Sequence, residues 1–96
     1  MNKIIHEQTR LRILAALAGE LTEVSFPELR DRLGMTAGNL SVQLKTLEDA
    51  GYVQTNKSFV ANKPRTDIAI TDGGRQALTE YLEEIERMLA SLRKGE

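Results

Sequence analysis

The chain has 96 residues, of which 41% are hydrophobic and 28% charged, with a formal net charge of -1. This is the composition of one globular domain spanning 1–96, and it excludes a disordered or collagen-like chain. No cysteine is present and His6 is the single histidine, so disulfides, thiolate metal sites and a histidine cluster within one subunit are excluded.

The spacing of Leu11, Leu14 and Leu17 predicts a first helix from about Glu7 to Ala18, stopped by Gly19. Leu21-Thr22-Glu23-Val24 is too short for a helix and reads as a connection or a very short strand. Ser25-Phe26-Pro27-Glu28 has the form of a capping box, in which Ser25 and Glu28 each satisfy the other's backbone amide. The helix it opens holds Leu29 and Leu33 on one face and ends at Gly34. Thr36 suits the N-cap of a third helix, about 36–50, with Leu40, Leu44 and Leu47 as its buried face. Its opposite face carries Gly38, Val42, Lys45 and Asp49, flanked by Asn39, Ser41 and Thr46.

After Gly51 the period changes. Tyr52–Thr55 and Thr66–Thr71 read as two strands, with Ile68 and Ile70 on one face. The polar, basic segment between them, tipped by Asn62-Lys63-Pro64-Arg65, completes a long hairpin over about 52–71. A last helix is predicted over about 75–93. Its residues Leu78, Leu82, Ile85, Leu89 and Leu92 form a narrow coiled-coil-like seam. That seam is longer than a small domain can cover, so it predicts pairing with a second copy, joined by Ile4 and Ile5 near the N-terminus.

Charge is distributed unevenly. Arg32 to Leu47 holds two basic residues and no acid, and Ala50 to Thr66 holds three and again no acid. From Thr71 onward there are four basic and six acidic residues. An acid-poor middle beside an acidic tail is an asymmetry that bears on what the middle meets. The longest apolar run, Ile13 to Ala18, is too short to span a bilayer. The N-terminus shows no signal-peptide pattern, so a cytoplasmic protein without membrane attachment is expected. No Gly-rich phosphate loop, nucleophile elbow or Ser-His-Asp set appears, so no enzyme activity and no cofactor are expected.

Helix, short strand, helix, turn, helix, hairpin, helix is the order of a winged helix-turn-helix: mainly α with a small β-hairpin, here with a C-terminal dimerisation helix. In that arrangement the third helix enters the major groove of double-stranded DNA. Thr36 and Ser41 can bond phosphates near the positive helix end. Asn39 and Gln43 can pair with adenine, and Val42 can touch a thymine methyl. Gly38 lets a backbone approach closely, and Lys45 adds charge. Lys63 and Arg65 on the wing can reach phosphate or the minor groove, and with Lys57 they also suit edge-strand protection against aggregation.

The stretch Thr36-Ala37-Gly38-Asn39-Leu40-Ser41-Val42-Gln43-Leu44-Lys45-Thr46-Leu47-Glu48-Asp49-Ala50-Gly51-Tyr52-Val53 resembles the recognition helix and wing entry of small winged-helix transcriptional regulators, relatives of the MarR and ArsR groups. The resemblance extends to Arg12-Ile13-Leu14, Phe26-Pro27-Glu28-Leu29, Lys63-Pro64-Arg65-Thr66 and Gly74-Arg75. It implies a symmetric dimer that binds a pseudo-palindromic operator, usually to repress. Asp72-Gly73 departs from the pattern of that group, which has Glu or Pro and one variable residue there. The metal-binding clusters of ArsR relatives have no counterpart, so metal sensing does not carry over. Larger relatives hold small-molecule effectors; that partner class stays open here, without a residue set that indicates one. A winged helix can also serve as a protein-interaction adapter without DNA binding.

Overall fold

A computed structural model describes residues 1–95. The mainly helical winged helix-turn-helix with a small hairpin is the fold observed. Its elements are α1 (Lys3–His6), α2 (Gln8–Ala18), β1 (Val24–Ser25), α3 (Phe26–Leu33), α4 (Ala37–Asp49), β2 (Val53–Val60), β3 (Lys63–Ile70) and α5 (Asp72–Lys94). The three strands form an antiparallel sheet in the order β1-β3-β2. Among the described residues no helix is long and apolar enough to cross a membrane.

Most helix ends follow from local chemistry. Thr36 Oγ1 accepts from the Asn39 amide at 3.1 Å and starts α4. Gly34 and Gly51 adopt left-handed backbone, with φ of 65° and 80°. Each closes a Schellman motif: Gly34 and Met35 donate to Asp31 and Arg30, and Gly51 and Tyr52 donate to Glu48 and Leu47. The capping box at Ser25 closes in one direction. Ser25 Oγ accepts from the Glu28 amide at 3.3 Å, while the Glu28 carboxylate pairs instead with Arg32 one turn on, at 2.8 Å.

The core is the leucine face of the helices laid on the sheet. Ile5, Ile13, Leu14, Leu17, Leu29, Leu40, Leu47 and Ile68 are fully buried, with Val24, Leu44, Val53, Leu78 and Tyr81 nearly so. Two arginines tie helix ends together. Arg12 donates to the Leu33 carbonyl at the end of α3, and Arg75 donates to the Ala18 and Glu20 carbonyls at the end of α2. Both satisfy carbonyls that a helix C-terminus leaves unpaired.

Four sequence expectations are corrected. The N-terminal segment forms its own short helix, α1, because the Asn2 side chain accepts from the Ile4 and Ile5 amides and Glu7 restarts the chain as the cap of α2. The hairpin strands run further than predicted, and the turn is the pair Ala61-Asn62, with φ of 52° and 62°. Two residues at positive φ form the tight turn that matches strand twist. Pro64 sits one pair beyond the Val60–Lys63 closing pair, where the ladder alternates to a non-bonded pair. Its missing N–H therefore breaks no rung. The last helix begins at Asp72 rather than Arg75, with Thr71 as N-cap accepting from the Gly74 amide at 3.0 Å.

The fourth correction concerns the apolar seam. Ile5 and Leu78, expected at an interface between copies, are buried in the chain's own core, because α1 and the first half of α5 pack on α2. Ile4 and Ile85 are half-buried against the same core. Leu82 stands 45% exposed to one side of that packing, and beyond Ile85, where the body runs out, Leu89 and Leu92 stand 44% and 69% exposed, with Met88 beside them.

Candidate nucleic-acid interface

Outside its buried leucines α4 presents three longitudinal strips, set by a rotation of about 100° per residue. Gly38, Val42 and Asp49 lie outermost. Asn39, Gln43 and Thr46 turn toward α2, and Ser41, Lys45 and Glu48 turn toward the wing. Val42 is 63% exposed although it sits mid-helix. No atom lies within 4 Å of where a side chain on Gly38 would begin. A helical glycine costs about 1 kcal/mol relative to alanine, and internal packing gives no reason for it. The backbone at Gly38 is thus open to close approach from outside.

The polar groups on this helix are linked to their surroundings. Arg10 of α2 donates through Nη1 to Gln43 Oε1 at 3.0 Å, and Gln43 Nε2 donates to Asn39 Oδ1 at 3.3 Å. Lys45 pairs with Asp49 one turn on, at 3.0 Å. The hydrogen bond to that carboxylate, followed by its charge, raises the lysine above its usual pKa.

The register of the wing decides which side chains share a face with α4. Alternate residues point the same way, and Val53 and Ile68 are buried. On their side lie Thr55, Lys57 and Phe59 of β2, opposite Ile68, Thr66 and Pro64 of β3. An open groove of about 370 Å³ separates this face from α4, with Ser41, Lys45 and Glu48 on one wall and Thr55, Lys57 and Thr66 on the other. Glu48 accepts from the Thr55 hydroxyl across its base. Lys63 and Arg65 occupy the opposite face of the wing. Arg65 Nε lies 3.0 Å from both oxygens of Asp67. That hydrogen bond, with the carboxylate's charge, raises the guanidinium above its usual pKa. The Lys45–Asp49 pair is exposed on both sides and holds weakly, whereas Arg65 is half exposed on a largely covered Asp67.

Residues 9–89 match the family model described as a winged helix DNA-binding domain. The chain belongs to that family. An uncharacterised protein of Methanocaldococcus jannaschii is 42% identical over 83 residues, covering 86% of this chain and 89% of that protein. A structure described as a transcriptional regulator homologue from Pyrococcus horikoshii superposes with a TM-score of 0.85 at 30% identity, covering 93% of this chain and 87% of the other. The fold is also that of Bacillus subtilis PadR solved in complex with operator DNA, with a TM-score of 0.67 at 20% identity, where 77% of this chain matches 47% of PadR.

In this winged helix, the sequence-chosen residues therefore divide into two groups. Gly38, Asn39, Ser41, Val42, Gln43 and Lys45 gather on the open side of α4, and Thr36 caps its start. Lys63 and Arg65 stand apart on the far side of the wing. Two further residues adjoin this surface. Lys57 lies on the groove side of the wing; its place follows from continuing the Ile68–Ile70 alternation outward, once the strands are known to reach the turn. Arg10 is separated from Gln43 by 33 residues, and no local pattern announces that contact.

Proposed function

We propose that this protein is a sequence-specific double-stranded-DNA-binding transcriptional regulator, acting as a homodimer on a pseudo-palindromic operator and repressing by occupying it. The single observation behind this reading is the outer strip of α4. It is open, nearly free of bulk at Gly38, apolar at Val42 and flanked by amides, a shape suited to the floor of a major groove. The family membership, and PadR's structure with operator DNA, support the same reading. The exposed part of the α5 stripe, Leu82, Leu89 and Leu92, supports pairing with a second copy, because a two-fold contact lets one patch meet itself. Ile4 and Ile85 flank that contact. Recognition helices of such a dimer enter successive major grooves, with half-sites about 10 bp apart. A regulator of this kind works in the cytoplasm, beside the chromosome.

In this arrangement Lys45, Lys57 and the hydroxyls of Ser41 and Thr66 receive backbone phosphates along the groove. The wing enters the adjacent minor groove, with Lys63 and Arg65 toward its other strand. Asp49 and Asp67 release their cations to phosphate as the complex forms.

The test is the salt dependence of binding, read by electrophoretic mobility or fluorescence anisotropy. Four basic side chains per protomer, engaged in both halves of a dimer, give a slope of log K against log salt of about -7. The expected stoichiometry is two chains per duplex. A slope near zero contradicts DNA binding and favours an adapter. A slope of about half that size with one chain per duplex contradicts the dimer alone.

A further inference from the structure

We infer that Arg10 is a positioning residue that sets base preference, by locking the amides of α4 so that they present hydrogen-bond donors and favour guanine over adenine. This rests on the DNA-binding reading above. The argument starts from the chemistry of guanidinium, which has N–H donors and no acceptor. The Gln43 atom that meets Arg10 Nη1 at 3.0 Å must therefore be its carbonyl oxygen. The Gln43 amide nitrogen is then turned the other way, toward Asn39. The Asn39 atom that takes its hydrogen at 3.3 Å must in turn be a carbonyl oxygen. One arginine thus fixes the orientation of two amides in series.

Arg10 is itself held. Its Nε donates to the Ile4 carbonyl at 2.7 Å, and Glu7 caps the Arg10 amide at 3.0 Å. Its side chain is only 19% exposed, which sets it back from the surface where phosphates would lie. It acts on DNA through Gln43 and Asn39.

The consequence is a change in what α4 can read. A free asparagine or glutamine pairs with adenine by accepting from N6 and donating to N7. Each carbonyl keeps a second lone pair, but the relay ties both oxygens to a donor already, while the Asn39 Nδ2 hydrogens and the second hydrogen on Gln43 Nε2 are unengaged, so the edge offered to DNA is weighted toward donors. No acceptor among the described residues takes a hydrogen from Asn39 Nδ2. Guanine presents two acceptors, N7 and O6, in the major groove, whereas adenine places a donor beside its N7. A donor-rich edge therefore fits guanine and meets a like group at adenine.

The experiment is selection of bound duplexes from a random pool, followed by competition between guanine and adenine at the most selective position of each half-site. The wild type is expected to prefer guanine there by at least about tenfold, the size of one good base contact. Arg10→Met removes the donors and keeps most of the bulk. It should narrow the ratio to within about threefold while leaving the salt slope unchanged, because no phosphate contact is lost. Should Arg10→Met fail to fold, Arg10→Gln decides the matter: its amide can accept as well as donate, so it no longer forces the Gln43 carbonyl inward, and it should narrow the ratio while leaving Gln43 and Asn39 in place. A wild type that prefers adenine, or folded variants that keep the wild-type ratio while binding with the same salt slope, overturns the assignment to Arg10 alone. A wild type without salt-sensitive binding overturns both this assignment and the DNA-binding reading.

Discussion

Gly74→Ala is expected to destabilise the fold by about 3 kcal/mol or more, at the upper end of overpacking costs. The methyl group would lie 2.1 Å from the Tyr52 carbonyl oxygen and 2.8 Å from an Ile70 side-chain carbon. The first of these is backbone, in a tightly laced corner. Tyr52 O accepts from the Thr71 amide at 3.0 Å, and Thr71 Oγ1 donates to Gly51 O at 2.6 Å while also capping Gly74. The wing's first strand and the last helix meet there, so neither can move without breaking the other's cap. For a domain this size the melting temperature should fall by more than about 12 °C, measured by circular dichroism. The adjacent Gly73→Ala is the control. Its new methyl would lie 3.5 Å from its nearest neighbour, Gly51 O, and alanine favours the helix by up to about 1 kcal/mol, so stability should hold or rise slightly. Equal losses at both positions would show that the corner is not close-packed.

Val42→Glu is expected to separate function from folding. Val42 is 63% exposed, and glutamate is at least as good a helix former as valine. The melting temperature should therefore stay within about 4 °C of wild type, the range expected of a surface change. Binding should weaken by about 100-fold, because a carboxylate placed against base edges and phosphates costs several kcal/mol. Val42→Ala removes only an apolar contact and should cost less than about tenfold. Anisotropy titrations at fixed salt distinguish the three proteins. Binding by Val42→Glu equal to wild type would mean that the outer strip of α4 does not face DNA.

Much of this was legible in the sequence, for identifiable reasons. The leucine faces of α2, α3 and α4 follow from apolar spacing alone. Thr36, Ser25, Gly34 and Gly51 punctuate the chain through local hydrogen bonds and backbone sterics, which act within a few residues. What stayed hidden depends on contacts distant in sequence, or on strand length. The sidedness of the wing needed the strands to reach Ala61-Asn62; a loop assumed over 56–65 broke the alternation that would have put Lys57 beside α4 and Arg65 away from it. The seam of α5 reads as one continuous stripe, yet Leu78 and Ile85 pack inward while Leu82, Leu89 and Leu92 are exposed. That division is set by which side of the helix the body of the domain covers and by where that body ends. The need for glycine at position 74 has no local signal, because it is set by the carbonyl of Tyr52, 22 positions earlier in the chain. Arg10 carries no local signal of its role, because its partner Gln43 lies on another helix.

The most direct measurement is backbone amide chemical-shift mapping of the labelled protein against a duplex selected from a random pool. The largest changes are expected at Gly38, Asn39, Val42 and Gln43, with a second group at Lys57 and Arg65 on the two faces of the wing. Changes confined to α5, or none along α4 while the complex forms, would contradict the assignment of that helix as the reader.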